Sequence, residues 1–387
     1  MRRAVAAAGL MVASAGGVAV TMQRHAEAAA PAGGWASFGH DPAHSGTAPV
    51  RGPRTGRLRW TRRLEGPIAP GTAVAGATAY AASNGGVLHA IDVVTGRDRW
   101  RFDAQGSYGS DLSTVPAVLA DGSVLWPGPH QTLYAIGRDG ALRWRLAAAA
   151  DVLSPLVDAR RGRLYVADMT GQLRAFRLPA SAASAAPPRL LWSRRLAAGS
   201  YGSPALGADG TVYETAGRSL FAIAANGRLR WARASESTVE VSPAVAPDGT
   251  IVFGSNDTHE YGYAPDGTRR WRDRLGGEYT YASAMTRPDG TVLFGDHRGI
   301  MTLAVARTGR VLRRYRARGQ LWTAAASDRD GRVYFATRRG HVYGFTARGR
   351  RLFDRQFATT FDAYPALAPD GTLLIGGDDG ILRAFGP

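Results

Sequence analysis

The feature that most constrains this chain is an internal repeat. Four segments align with one another: "SPALGADGTVYETAGRSLFAIAANGRLRWAR" from Ser203, "SPAVAPDGTIVFGSNDTHEYGYAPDGTRRWRD" from Ser242, "VPAVLADGSVLWPGPHQTLYAIGRDGALRWRL" from Val115 and "YPALAPDGTLLIGGDDGILRAFGP" from Tyr364. Each is a short apolar run, an Asp-Gly turn, an apolar run, a polar turn, an apolar run, a Gly turn and a last run around an aromatic. Runs of 4–6 residues broken by Asp-Gly, Asn-Gly or Thr-Gly read as strands joined by hairpins. Four such strands make one antiparallel blade. The fourth-strand aromatic supplies the count, falling at Trp60, Trp100, Trp144, Trp192, Trp231, Trp271, Tyr315 and Phe353 with gaps of 40, 44, 48, 39, 40, 44 and 38. The longest gap holds an inserted low-complexity loop, "PASAASAAPP" (Pro179–Pro188). Eight aromatics predict eight blades of the propeller period.

The two ends predict closure. The chain stops at "ILRAFGP", after a third strand, while "TGRLRWTRRL" (Thr55–Leu64) has the Gly turn and Trp of a fourth strand with no first three before it. An unpaired strand edge is a liability, and pairing these two removes it. The expected fold is all-β: an eight-bladed β-propeller over residues 55–387, four antiparallel strands per blade, closed by the N-terminal strand joining the last blade. An open solenoid would not predict a last strand supplied by the first.

Residues 1–28 read as an export signal. Arg2 and Arg3 precede an uncharged Ala/Gly/Val stretch from Ala4 to Val20, and Ala26-Glu27-Ala28 offers small residues for cleavage after Ala28. The competing reading is a retained anchor. It is disfavoured because the 17 apolar residues fall short of a spanning helix, which needs roughly 20. No later stretch is apolar enough to span. Residues 29–54 form an approach segment. The chain has no cysteine, which excludes disulfides, thiolate metal sites and a lipid-modified cysteine. Its formal net charge of +17 becomes +15 without residues 1–28, and every cation is arginine. The arginines are spread along the chain with no stripe, which argues against nucleic acid as partner.

At "AIDVVTGRDRW" (Ala90–Trp100) the chain resembles the pyrroloquinoline-quinone-like (quinoprotein) propeller repeat: Ala90, Asp92, Thr95, Gly96 and Trp100 match its motif. The opening "W…FGHDPAHSGTAP" is also similar to the start of many such proteins. In that family the motif docks the Trp between adjacent blades. The family's dehydrogenases imply pyrroloquinoline quinone on the ring axis with calcium held by acidic and amide side chains. They also carry an adjacent-cysteine disulfide, which this chain lacks, and no Glu/Asn/Asp set aligns residue by residue. The outer-membrane-assembly member type implies a non-enzymatic scaffold of similar size and blade number.

The meander divides the ring into two faces. First-to-second and third-to-fourth turns share one, here the turn face. Its Asp-Gly pairs at Asp121, Asp209, Asp248, Asp289, Asp330 and Asp370 read as structural turns. Second-to-third hairpins and the connections between blades share the other, here the crossover face. The ligand candidates lie on it: Tyr108, Tyr201, Glu240, Tyr279, Tyr281, Trp322, Asp362 and Tyr364. Its hairpins add, among others, Asp257, His259, Asp296, His297 and Arg338. Asp257, His259, Asp296 and His297 would hold a metal only if neighbouring hairpins converged. His40, Asp41 and His44 in "WASFGHDPAHSG" raise a second metal question. Pro42 between the histidines instead predicts a helix N-cap or a turn, with Trp35 and Phe38 packing on the propeller. No catalytic set is discernible. The sequence therefore predicts an exported, non-catalytic binding or assembly scaffold of the cell envelope, monomeric, with a protein or glycan partner. A quinone-dependent dehydrogenase and an Arg-rich adhesin for anionic envelope polymers are the competing expectations.

Overall fold

In the computed structural model, residues 34–69, 71–108, 114–179, 185–197, 199–274 and 281–387 are described. The export signal and Tyr279 lie outside them. The described chain forms eight four-stranded antiparallel sheets. Seven are built from four consecutive strands. The eighth takes Ala366–Leu367, Leu373–Gly376 and Ile381–Phe385 from the C-terminal end and Leu58–Arg63 from the N-terminal side, in register Thr61↔Arg383 and Arg63↔Ile381. The expected seam is therefore present.

Each strand's position in its blade follows from its residues. Innermost strands are only two or three residues long, such as Ala205–Leu206 and Ala244–Val245, and most contain an alanine. Second strands such as Val124–Gly128 are buried along their whole length, because neighbouring blades cover both of their faces. Fourth strands alternate: Asp98–Asp103 turns Trp100 and Phe102 inward while Arg99 and Arg101 stand exposed. Charged residues along these outermost strands oppose edge-to-edge pairing with another molecule.

Adjacent blades are joined by one repeated contact. The Trp231 indole lies against Gly267 of the next blade and donates to the Pro265 carbonyl at 2.8 Å. Gly267 has φ +84°, and a Cβ there would stand 2.8 Å from the indole, so both its backbone and its bareness are required. Trp60, Trp100, Trp192 and Trp271 repeat the lock, donating to Val93, Arg138, Ala225 and Ala306 of the following blade. The sixth blade keeps the count of eight but corrects which residue holds the locking place. Strand register places Arg313, opposite Leu303, where Trp231 stands opposite Ala222. Arg313 lies against Gly349 and donates to the Arg348 carbonyl at 2.5 Å. Tyr315, expected in this place, is buried two residues further on. A guanidinium thus replaces an indole: planar, a donor, and carried on an apolar stem.

The approach segment goes through the ring. Trp35 and Phe38 are buried, Trp35 beside Leu64, Ile68 and Val74, Phe38 edge-on to Tyr364 at 4.8 Å. Carbonyls of Trp35, Ala36, Pro42, Ala43, His44 and Gly46 accept from Val74, Val118, Leu206, Val245, Thr286 and Ser327, the innermost strands of six different blades. The segment therefore plugs the axial channel and satisfies backbone donors that an empty ring would leave unpaired. Asp41 is its hub: Oδ1 accepts the Ala43 and Ser45 N–H groups, and Oδ2 accepts the Ser45 hydroxyl. His40 and His44 both have positive φ, so Asp41-Pro42 makes a turn and not a helix start. The segment then leaves along the seventh blade, where buried Asp328 accepts the Gly52 N–H at 3.0 Å and Tyr334 donates to the Pro53 carbonyl.

Two outcomes are expected. Trp231→Ala loses the lock and costs about 3 kcal/mol, and Gly267→Ala costs about 1–2 kcal/mol from backbone strain alone; urea melts check both. The second concerns His44, wholly buried with Nδ1 donating to the Pro243 carbonyl at 2.7 Å. Desolvation lowers its pKa from 6.5 to about 4, against the pull of that carbonyl and of Asp41. The unfolded chain takes up the proton first, so this stabilisation is full above pH 6.5 and is lost as pH falls toward 4. The loss is on the order of 3 kcal/mol. Melts at pH 7 and pH 4.5 will show it in the native chain and a flatter profile in His44→Gln.

Candidate functional site

The crossover face is built on a serine-stitched inner ring. Val115 donates to Ser154, Ser203 to Ser242 and Ser242 to Ser283, each pair linking the starts of neighbouring innermost strands. The connections entering this ring carry the candidate side chains.

Three of those candidates meet. Tyr281 lies 4.7 Å from Trp322 and 5.0 Å from His297, ring centroid to centroid. His297 and Trp322 are parallel within 3° at 5.6 Å. The Arg338 guanidinium sits 4.0 Å over Trp322 and pairs with Asp362 at 3.2 Å. Connections supply Tyr281, Trp322 and Asp362, and the intervening hairpins supply His297 and Arg338. The result is a continuous aromatic and cationic ladder across the sixth, seventh and eighth blades. Among the described residues the buried Trp322 Nε1 has no acceptor. Stacked rings held by a cation and an acid are rigid, so little entropy is lost when a ligand covers them.

The other candidates go elsewhere. Tyr108 donates to the Pro127 carbonyl and packs edge-on to Trp126. Burial raises its pKa. Tyr364 is packed against the plug at Phe38, and burial likewise raises its pKa. Both are braces of the channel. Tyr201 is 49 % exposed and Glu240 half-buried, on the connections into the fourth and fifth blades, away from the ladder. Sequence reasoning placed His297 and Arg338 among the hairpin residues but not in the core of the site. The available signal was that a connection and its own blade's hairpin lie side by side.

The hairpin carboxylates and histidines are turned to separate tasks. Asp257 accepts from the Tyr261 hydroxyl at 2.6 Å and from the Glu236 and His259 N–H groups. Asp296 accepts from Arg298 and Ile300 of its own turn. Among the described residues no group of three His, Cys, Asp or Glu could hold a metal ion. Quinone with calcium needs an axial space and an acidic ligand set. Phe38, His44 and Tyr364 fill the axis where the innermost strands surround it. The described residues therefore do not fit that group.

Two buried glutamates lie between blades. Glu214 accepts the Ser200 hydroxyl at 2.7 Å. Glu260 is wholly buried, neither carboxyl oxygen has a hydrogen-bond partner among the described residues, and it lies directly across the sheet from Asp273. Burial, then Asp257 and Asp273, push its pKa well above 4.5. The folded protein holds this proton more tightly than the unfolded chain. Stability linked to it is full below pH 4.5 and falls as pH rises toward the folded value. Glu260→Gln is expected to raise the melting temperature at pH 7 relative to the native chain and to show no gain at pH 4.

Eight four-stranded blades, a seam strand and ring-on-glycine locks define a propeller of the quinoprotein-repeat class. The chain belongs to the outer membrane protein assembly factor BamB (PQQ_2) family, whose profile matches residues 46–118 and 180–385. In fold it is similar to BamB from Moraxella catarrhalis, at TM-score 0.68 and 14 % identity over 86 % of this chain and 99 % of that one. Quinohemoprotein alcohol dehydrogenase from Comamonas testosteroni is similar at TM-score 0.71 and 12 % identity, covering 93 % of this chain and 81 % of that one. A europium-containing methanol dehydrogenase gives TM-score 0.71 and 12 % identity over 89 % and 90 %. No curated protein matches the chain. No helix among the described residues is long and apolar enough to cross a membrane.

Proposed function

We propose that this chain is an exported, non-catalytic scaffold of the cell envelope that binds a protein partner through its crossover face. Residues 1–28 act as a removed signal, and residues 55–387 form one propeller domain that works as a monomer. The observation that carries this reading is the division of the ring. The axis is filled by the chain's own Trp35–Gly46, while one face carries the ladder of Tyr281, His297, Trp322, Arg338 and Asp362. Aromatic and Arg side chains held in place by their neighbours are what dominates protein interfaces. The family's description as an assembly factor also favours a protein partner.

The test is site-specific photo-crosslinking in the native host. A crosslinker at Tyr201 or Trp322 is expected to trap one discrete partner, and one at Arg195 or Arg316 on the outer strands is not. Arg338→Ala should weaken the purified partner's binding about tenfold. Trapping from the outer strands alone would overturn the assignment of the face. Oxidation of alcohols or sugars by the mature protein with added quinone and calcium would overturn the non-catalytic reading.

A further inference from the structure

On the turn face the seventh blade departs from a pattern that the fourth, fifth and eighth blades keep. In the fourth, fifth and eighth blades, the residue before the locking Trp is an arginine paired to the aspartate of the same blade's first turn. These pairs are Arg230–Asp209 at 2.7 Å, Arg270–Asp248 at 2.8 Å and Arg59–Asp370 at 2.5 Å. In the seventh blade that place is held by Leu352, one before Phe353. The first-turn aspartate, Asp330, is shared by Arg51, Arg329 and Arg332. The nearby Asp328 is buried and committed to Arg332 and to backbone N–H groups.

The third-to-fourth turn of this blade meanwhile carries Arg348 and Arg350 where the fourth blade has Asn226 and Arg228 and the fifth Asp266 and Thr268. Together with Arg54 of the approach segment they line a cleft of about 440 Å³, with Arg332, Asp330 and Leu352 in its wall. Arg54, Arg348 and Arg350 are exposed. Their guanidinium groups have no hydrogen-bond or ion-pair partner among the described residues. The Arg348 carbonyl is tied down by Arg313, which fixes the turn's backbone while the side chain stays free. Four cleft arginines against one aspartate, itself shared three ways, leave a concentrated positive field in a concave site.

We infer that this cleft is a binding site for a multivalent oxyanion of the phosphate class. Arginine forks match phosphate oxygens in pairs, and unpaired arginines meet such a ligand without breaking existing bridges. The site lies on the face opposite the aromatic ladder, so it is independent of the partner proposed there.

Isothermal titration calorimetry with inorganic tripolyphosphate on the mature protein tests it. Saturable binding at one site is expected at low salt, weakening as salt is raised. The triple variant Arg54→Ser, Arg348→Ser, Arg350→Ser should lose at least tenfold in affinity. A charge-matched control, Arg145→Ser, Arg195→Ser, Arg316→Ser on the outer strands, should lose less than twofold. Asp330→Asn, which removes the one acid among the described residues lining the cleft without deleting a cation, should tighten binding. Trp322→Ala should leave it unchanged, which separates this site from the crossover face. Melting curves identify any variant that fails to fold, and Asp330→Asn then decides alone. Equal losses in the two triple variants would reduce the effect to diffuse charge and overturn the site. Absence of saturable binding, or binding to anionic lipid vesicles without binding to tripolyphosphate, would overturn it as well.

Discussion

The pairing of Leu58–Arg63 with Ile381–Phe385 is the constraint on which the rest depends. It turns a row of blades into a ring. A ring of wedges must be held at its radial joints, and at six of the eight one contact serves the purpose: a planar donor of one blade laid on a bare glycine of the next, bonded to a carbonyl beside it. The sixth blade shows that geometry, more than aromaticity, is what the joint demands, since Arg313 meets it with a guanidinium.

Closure by an N-terminal strand also governs the axis. The residues before that strand must reach the seam, and in this chain they do so through the centre. Six innermost strands give backbone donors to six carbonyls of the segment. The channel becomes a packed core, with His44 buried and neutral inside it. Chemistry is displaced to the two faces. One bears a stacked ladder over three blades, the other a cleft where arginines of the seventh blade gather beside Arg54 of the approach segment.

Much of this was legible in the repeat. Blade number, strand count, the closing strand and the division into two faces follow from Asp-Gly spacing and the period of the Trp residues. Asp209, Asp248, Asp289 and Asp370 bind their own turn N–H groups as expected. Asp330 departs, because Asp328 takes that task and frees Asp330 for the arginines. The Tyr315 assignment failed because it followed aromaticity, while the place four residues past the turn glycine, Trp231 after Gly227 and Trp271 after Gly267, is held by Arg313 after Gly309.

What the sequence determined by itself was local and periodic: where strands turn, how many there are, and which edge each end must fill. At "WASFGHDPAHSG" it left a helix N-cap or a turn open, and positive φ at His40 and His44 made it a turn. Only the tertiary structure decided that this stretch threads the axis, that Tyr281, Trp322 and Asp362 converge while Tyr108 and Tyr364 brace the channel, and that Arg54 stands beside Arg348. Those relations join residues tens or hundreds of positions apart. Their distances are set by ring closure and blade twist, which no single repeat encodes.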